Sequence, residues 1–268
     1  MNFTSERLIP EYYKGSFTEF MLYLMHIKCY LDLEGIIGGK GIDYGCGLGY
    51  GTNILGRITE QVTGVDLSSE SIEIAKRENA GNNINFTVLS DDRDNLPFKN
   101  EELDYVVSFQ VIEHIRDMDF YLSEIKRVLK PGGKFICTTP NGFFRLYPMQ
   151  NPWNQHHLRE FNCRELYALL SRYFSIDSFT SVKMHPLYQK NEKKRVWMRK
   201  TLLFPFSNIL IPDSLRKNIL EFIWLLTVRE SAVDSNCGKY LFDKYLSYIT
   251  TESNDMYEGL SFFVTMSK

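Results

Sequence analysis

The sequence has little net charge and no apolar run long enough to cross a membrane. Its 31 lysines and arginines are nearly matched by 33 aspartates and glutamates, which gives a formal net charge of -2 over 268 residues. A protein without a broad positive field is not expected to have nucleic acid as its main partner. The longest mostly apolar run, residues 219–228, has only about half the length that a bilayer-spanning helix needs. We therefore expect no transmembrane segment.

Cysteine is also scarce, and its distribution excludes several kinds of site. The five cysteines are odd in number and scattered, and no two of them have the spacing of a metal-binding pair. Reduced thiols are therefore expected, which is their usual state in the cytoplasm. The opening stretch, MNFTSERLIPEYYKG, lacks the basic and then apolar pattern of a signal peptide. Together these absences predict a cytoplasmic protein.

From residue 40 the chain alternates short apolar runs with amphipathic stretches. We predict strands at the apolar runs, which are residues 41–45, 61–67, 84–90, 103–110 and 134–140. Apolar residues at helical spacing fill the stretches between them. The sequence KPGG at 130–133 predicts a helix stop followed by a turn. Such alternation is typical of βαβ units, and so of a parallel sheet with helices on both faces.

The rest of the chain completes a predicted α/β fold. Helices are expected at 16–34 and 163–174, and two more strands at 175–184 and 260–267. The sheet is therefore predicted to be Rossmann-like, mostly parallel and seven-stranded. Residues between the last two strands, broken by Pro205 and Pro212, predict an inserted helical cap. The predicted boundaries are lid helices at 1–36, a ligand-binding core at 37–186, the cap at 187–255 and the final strand at 256–268.

The stretch GIDYGCGLGYGT, residues 41–52, is a glycine-rich loop between a predicted strand and a predicted helix. Such a loop lets backbone amides approach a ligand closely. A dinucleotide fingerprint needs G-x-G-x-x-G, but Tyr50 and Thr52 stand where its third glycine would be. Asp43 precedes the first glycine by two residues and would repel a pyrophosphate, whereas it suits a cationic amino group. The loop therefore disfavours a nicotinamide-dependent oxidoreductase.

Further acids follow the next two predicted strands. Asp66 ends the second strand, where a carboxylate can accept hydrogen bonds from both hydroxyls of a ribose. Asp91 and Asp92 follow the third strand, where one of them can accept from an adenine amino group. A cationic head, a ribose and an adenine together describe S-adenosylmethionine.

Five ordered stretches support this cofactor by resemblance to a known family. IDYGCGLGYG, VTGVDLS, SDDRDNLPF, LDYVVSFQVIEHI and RVLKPGGKFICTTPN resemble the motifs of class I S-adenosylmethionine-dependent methyltransferases, over residues 38–180. The resemblance implies that the glycine loop holds the methionine part, that Asp66 binds the ribose and that Asp92, rather than Asp91, meets the adenine. It also implies S-adenosylhomocysteine as the product. The expected cofactor contacts are Asp43, Gly45, Cys46, Gly47, Gly49, Asp66, Leu67, Asp92, Arg93 and Gln110.

Histidines in two places are candidates for removing a proton from the methyl acceptor. His114 lies in VIEHI, just beyond the fourth predicted strand, and His156 and His157 lie in NPWNQHHLREF. The stretch from TPN at 139–141 to residue 174 resembles a methyltransferase subgroup of surface-polysaccharide and sugar modification, in which His157 takes a motif position. His157 is therefore the first candidate for the base, with a helix-capping or loop-anchoring role as its alternative. His114 is a second catalytic candidate, with a substrate-contacting or structural role as its alternatives.

A metal ion is not expected. QVIEHI resembles a run in quinone-precursor O-methyltransferases, where two glutamates and a histidine can hold a divalent cation. Gln110 stands at the first of those positions, which removes one anionic ligand. The predicted substrate contacts are Tyr13, Glu113, Asn141 and His156.

The sequence leaves several acceptors open. The leading hypothesis is methyl transfer to a hydroxyl of a sugar, nucleotide sugar or glycan intermediate. Its alternatives are a small aromatic, quinone-like or amine metabolite as acceptor, and an inactive protein that only binds the cofactor. The basic stretch at 189–200 is interpreted as a solvated helix face, a site for an anionic acceptor, a contact with a membrane surface or a dimer surface. Both a monomer and a homodimer remain open.

Overall fold

The computed structural model describes residues 17–91, 93–184, 186–227 and 245–268. The predictions for Tyr13 and Asp92, and the first part of the predicted lid, lie outside the described residues. The helices are α1 (Phe17–Leu31), α2 (Tyr50–Ile58), α3 (Ser69–Glu78), α4 (Met118–Val128), α5 (Gly142–Arg145), α6 (Cys163–Leu170), α7 (Pro186–Ser207) and α8 (Asp213–Thr227). The strands are β1 (Lys40–Tyr44), β2 (Gln61–Asp66), β3 (Ile84–Val88), β4 (Leu103–Phe109), β5 (Leu129–Pro140), β6 (Ser175–Lys183), β7 (Thr250–Ser253) and β8 (Ser261–Ser267).

The strands form one mixed sheet in the order β3-β2-β1-β4-β5-β8-β6-β7. Strands β1 to β5 are parallel, whereas β8 pairs antiparallel with both β5 and β6. The prediction of seven strands is corrected, because the described residues form eight and the short β7 pairs with β6 at the sheet edge. The inserted helices α7 and α8 therefore lie between β6 and β7 along the chain.

Two local predictions are also corrected. The expected turn at 130–133 lies within β5, because the β4–β5 register shifts between Leu103 and Tyr105 and leaves these residues as a bulge. Pro205 does not break the cap helix, since α7 continues through it to Ser207. The sequence also predicts that Ser68 or Ser69 begins the second core helix, and in the structure Ser68 begins α3 by accepting a hydrogen bond from the backbone N–H of Ser71 at 3.2 Å.

The central strands β1, β2, β4 and β8 are buried on both faces, as expected of strands in a doubly covered sheet. Along β4, Val106 packs with the apolar side chains of α4 and α6, whereas Tyr105 and Val107 pack with those of α1 and α2. The parallel strands place their carboxyl ends at one edge of the sheet. Ligands bind at such an edge in open α/β folds, so the loops that follow β1, β2, β4 and β5 define the region of the site.

Helix α7 and the loop that joins it to α8 expose several apolar side chains. Trp197, Leu202 and Leu210 are exposed to 57%, 67% and 81%, so this part of the chain presents large apolar side chains to solvent. No helix among the described residues has both the length and the apolar composition needed to cross a membrane.

Candidate active site

The glycine loop between β1 and α2 has one glycine that faces open space. Gly45, Gly47 and Gly49 all have positive φ, at 82°, 52° and 81°. A Cβ on Gly45 would lie 2.3 Å from Val111, and one on Gly49 would lie 2.8 Å from the ring of Phe86. A Cβ on Gly47 would meet no atom within 4 Å. The backbone at Gly47 is therefore the part of the loop that a ligand can approach closely.

Asp66 lies beside this open position. One carboxylate oxygen accepts from the backbone N–H of Gly47 at 2.9 Å, and the other accepts from that of Ser68 at 2.8 Å. Because a carboxylate can accept about four hydrogen bonds, these two leave room for hydroxyl donors. The neighbouring Leu67 is 52% exposed at the same strand end. This position suits the predicted ribose contact, which stays a prediction.

Asp43 lies beneath the loop rather than at its surface. Its carboxylate accepts from the Tyr30 hydroxyl at 3.0 Å and from the Thr52 hydroxyl at 2.7 Å, which ties α1 and α2 to the end of β1. Burial raises the pKa of Asp43 to about 6, against the opposing effect of these two hydrogen bonds. Burial likewise raises the pKa of the neighbouring Cys46 thiol, which suits packing and not nucleophilic chemistry.

We expect Asp43 to make the stability of the ligand-free protein depend on pH. A carboxyl whose pKa is about 6 when folded stabilises the fold below its ordinary pKa and loses that contribution as pH rises towards 6. Between pH 4 and pH 7 the loss amounts to roughly 2 to 3 kcal/mol. In urea unfolding at several pH values, Asp43→Asn should remove this part of the pH dependence. Parallel curves for the two proteins would contradict the assignment.

The chain after β4 turns sharply towards the same edge of the sheet. Gln110 adopts a φ of 57°, which is uncommon for a residue other than glycine. Its backbone N–H donates to the Thr138 carbonyl at 2.9 Å, and its side-chain amide donates to the Thr138 hydroxyl at 3.1 Å. These bonds hold the turn against β5. A short 3-10 helix follows at Ile112–His114 and carries Glu113 and His114.

Glu113 is fully buried, and only one of its carboxylate oxygens is bonded. Oε2 accepts from the Thr139 hydroxyl at 2.9 Å. Oε1 has no hydrogen-bond partner among the described residues, which is rare for a buried carboxylate. Burial raises the pKa of Glu113, although His157 and His114 oppose the rise.

His157 reaches Glu113 from a distant segment of the chain. The backbone N–H of Leu158 donates to the Glu113 carbonyl at 2.9 Å, which fixes this segment beside the 3-10 helix. The His157 and His114 rings meet edge to face with centroids 4.9 Å apart. One potential ligand atom from each of Glu113, His114 and His157 lies within 4.8 Å of the other two. Both catalytic candidates, His114 and His157, therefore lie beside Glu113.

Each imidazole is oriented through its Nδ1 atom. His157 Nδ1 lies 2.7 Å from a carboxylate oxygen of Glu160, whose other oxygen accepts from Arg145 at 2.8 Å. Burial alone would raise the pKa of Glu160, but Arg145 and His157 hold it below its ordinary value, so this carboxylate is ionised. His114 Nδ1 lies 3.1 Å from the His156 carbonyl. Because both partners are acceptors, Nδ1 is the donor in each ring and Nε2 is directed elsewhere.

Other predicted contacts are distributed differently. The Asn141 side chain is buried, where it begins α5 and donates to the carbonyls of Met256 and Gly259, both at 2.8 Å. It therefore supports the fold, and the structure offers no free amide for the predicted substrate contact. His156 contributes its backbone carbonyl to the site, while its ring lies beside Gln155. Arg93 is exposed on the loop that follows β3. Sequence reasoning missed Glu160 and Arg145, whose only local signal is the i, i+3 spacing of His157 and Glu160.

The fold agrees with that of solved methyltransferases. An S-adenosylmethionine-dependent methyltransferase from Mesorhizobium loti aligns with 91% of this chain and 98% of its own, at a TM-score of 0.56 and 12% identity. The [4+2]-cyclase SpnF aligns with 91% of this chain and 81% of its own, with the same TM-score and 18% identity. At such identities the likeness concerns the fold alone, and the second structure shows that this fold is not restricted to one reaction.

Sequence comparison finds relatives at higher identity than these solved structures. A family model described as a methyltransferase domain matches residues 42–137. A probable S-adenosylmethionine-dependent methyltransferase from Mycolicibacterium smegmatis is 33% identical over 168 residues, which cover 62% of each chain. A ubiquinone biosynthesis O-methyltransferase from Brucella ovis is 30% identical over 43% of this chain and 45% of its own. The matches thus span about half to two thirds of these relatives. The chain is thus similar to S-adenosylmethionine-dependent methyltransferases, and its residues 42–137 match a methyltransferase domain.

Proposed function

We propose that the protein transfers the methyl group of S-adenosylmethionine to a hydroxyl of a sugar, nucleotide sugar or glycan intermediate. One observation carries this proposal: the loop with the open Gly47 and the Glu113–His114–His157 cluster share one edge of the sheet. The two are adjacent, since a Cβ on Gly45 would lie 2.3 Å from Val111, which directly precedes the 3-10 helix of the cluster. A methyl donor on the loop would therefore lie next to groups that can accept or stabilise a proton.

The reaction needs few groups from the protein. The acceptor oxygen attacks the methyl carbon, the carbon–sulfur bond breaks, and its electron pair stays on sulfur to give S-adenosylhomocysteine. We assign Gly47 to the methionine part and Asp66 to the ribose. The acceptor hydroxyl loses its proton at the cluster. We assign the removal of this proton to His157, because Glu160 fixes its ring with Nδ1 as the donor.

A cavity lined by three arginines favours an anionic acceptor. It has a volume of about 450 Å³ and is lined by Arg93, Arg116 and Arg159, together with Asp117, Met118 and Asp119. Its connection with the cluster is through the chain, since Arg116 and Arg159 each follow a cluster histidine by two residues. The two aspartates already have donors of their own: Asp117 accepts from the backbone N–H of Phe120 at the start of α4, and Asp119 accepts from the Tyr173 hydroxyl. Guanidinium groups bind phosphate well, so the diphosphate of a nucleotide sugar fits this cavity. The basic stretch in α7 fits less well, since Lys193 pairs with Glu258 at 2.6 Å.

A second candidate acceptor is a small aromatic or quinone-like hydroxyl. The similarity to a ubiquinone biosynthesis O-methyltransferase, at 30% identity, favours it. A screen of nucleotide sugars and small phenols for uptake of radiolabelled methyl from S-adenosylmethionine separates the two. Labelling of a nucleotide sugar supports the leading proposal, and labelling of phenols alone overturns it. Cofactor binding with no labelled acceptor would favour the inactive binding protein.

We also propose a cytoplasmic location, since the cysteines of the described residues are free thiols.

We expect Asp66→Asn to weaken S-adenosylmethionine binding by at least about tenfold. The substitution removes the charge that strengthens hydrogen bonds from the ribose hydroxyls, and such bonds contribute roughly 1.5 to 3 kcal/mol. Isothermal titration calorimetry measures the change. Asp177→Asn is the matched control, because Asp177 pairs with Lys134, which lies opposite Tyr105 near the amino end of β4 and so away from the carboxyl ends of the parallel strands. Equal affinities for the wild type and both variants would remove Asp66 from the cofactor site.

A further inference from the structure

The cluster of Glu113, His114 and His157 has the composition of a metal site. We propose that these three residues bind one divalent transition-metal ion through a carboxylate oxygen of Glu113 and one imidazole nitrogen of each histidine. Their potential ligand atoms already lie within 4.8 Å of one another, so small side-chain rotations suffice to close the site around an ion. Two imidazoles and one carboxylate are a recurrent three-ligand set for such ions.

The orientation of the three side chains supports the proposal independently of their proximity. Metal-binding histidines almost always donate their other ring N–H to a carboxylate or a carbonyl. His157 does so to Glu160 at 2.7 Å, and His114 does so to the His156 carbonyl at 3.1 Å. Glu113 is held through Oε2 by Thr139 at 2.9 Å. Each candidate ligand is thus fixed from behind by a separate partner.

The unbonded oxygen of Glu113 points to a cation. A fully buried carboxylate oxygen without a donor is costly, because burial removes water without replacing it. Within the described residues, Oε1 of Glu113 is the buried side-chain oxygen that lacks a hydrogen-bond partner. Bound metal would supply the missing partner and would also balance the carboxylate charge. Arg145 does not supply the missing partner of Glu113, because its guanidinium donates to Glu160.

The ligand set favours zinc-like ions over magnesium or calcium. Hard cations prefer oxygen ligands throughout, whereas imidazole nitrogen suits zinc, iron, cobalt and nickel. Gln110, whose presence in the sequence disfavours a metal, has its amide bonded to Thr138 and is not part of the cluster. His157 supplies the third ligand from 43 residues beyond His114, so neighbours in the sequence did not reveal it.

The role of the ion rests on the proposed function. Three protein ligands leave a position open for a fourth, and His114 is the member of the cluster that is partly exposed to solvent. An acceptor hydroxyl bound there loses its proton to solvent more readily, because the cation stabilises the alkoxide. His157 then serves as a ligand, and its loss impairs the reaction as it would if it were the base.

Metal binding can be tested without any acceptor. Full-length protein without a histidine tag is stripped with a chelator and titrated by calorimetry with Zn²⁺, Mn²⁺ and Mg²⁺. We expect one Zn²⁺ per chain and at least tenfold weaker binding of Mg²⁺. Glu113→Gln and His157→Gln should each weaken Zn²⁺ binding by about a hundredfold or more, and Glu160→Gln by about tenfold to a hundredfold. His156→Gln, an adjacent histidine outside the cluster, should bind Zn²⁺ as the wild type does.

The outcomes separate this proposal from the proposed function. Zn²⁺ binding that is absent, or equal in the wild type and Glu160→Gln, would overturn the metal site while leaving methyl transfer intact. Should Glu113→Gln or His157→Gln fail to fold, Glu160→Gln and the metal content of the purified wild type decide the question. Stoichiometric Zn²⁺ in a protein that labels no acceptor would support the site and overturn the proposed function. S-adenosylmethionine affinity should be the same with and without the ion.

Discussion

Replacing His157 with alanine should lower kcat by about 10² to 10⁴-fold, the usual contribution of a positioned acid or base. The residue is buried, its ring is aligned by Glu160 at 2.7 Å, and its neighbours are the other two members of the cluster. Alanine removes the imidazole from the point where the acceptor proton is lost. The measurement is single-turnover methyl transfer to whichever acceptor the screen labels, with calorimetry of S-adenosylmethionine binding alongside.

The split between kcat and cofactor affinity makes this prediction specific. His157 has no assigned contact with S-adenosylmethionine, so its affinity should change by less than about threefold, whereas a misfolded variant would lose both. Gln155→Ala alters the same segment without touching the cluster and controls for local disturbance. Chelation of the wild type then separates the two chemical roles of His157. Equal loss of turnover on chelation supports the ligand role, unchanged turnover supports a metal-free base, and a fully active His157→Ala excludes both.

The parts of the fold that sequence reasoning found depend on local patterns. Strands β1 to β5 are short apolar runs bounded by helix signals, and the Ser68 cap requires only three residues of context. The bulge at 130–133 and the short strand β7 depend on pairing with strands far away in sequence, which leaves no local pattern. The continuation of α7 through Pro205 is likewise set by surroundings that the sequence does not state.

The candidate site divides in the same way. The assignments of Gly47 and Asp66 to the cofactor site follow from the spacing of a loop and a strand end. In the structure the backbone nitrogen of Gly47 lies 2.9 Å from a carboxylate oxygen of Asp66. Asp43 shows the limit of that reasoning, because its position in the motif suggests a ligand contact while its carboxylate is bonded to Tyr30 and Thr52. The union of Glu113 with His157 depends on two backbone hydrogen bonds between distant segments. Spacing alone does not predict such a contact.

Replacing Glu160 with alanine should destabilise the fold by about 3 to 5 kcal/mol, the usual cost of removing one partner from a buried ion pair. Its side chain is fully buried and bonded to both Arg145 and His157, so alanine leaves the largely buried guanidinium without its counter-ion. Urea unfolding at pH 7 measures the loss. Glu102→Ala is the matched control, since the Glu102 and Lys40 side chains are about a third exposed and such pairs contribute about 0 to 1 kcal/mol.

The pH dependence of this loss tests its cause. The pKa of Glu160 is held below its ordinary value by Arg145 and His157, so its stabilising effect is present above about pH 4.5 and declines as pH falls through the folded-state pKa. The difference in unfolding free energy between the wild type and Glu160→Ala should therefore shrink as the solution becomes more acidic. A difference that stays constant down to pH 3 would attribute the loss to packing. A loss at pH 7 no larger than that of Glu102→Ala would mean that His157 is not held in place by Glu160, and the orientation on which both the base and the ligand roles depend would fail with it.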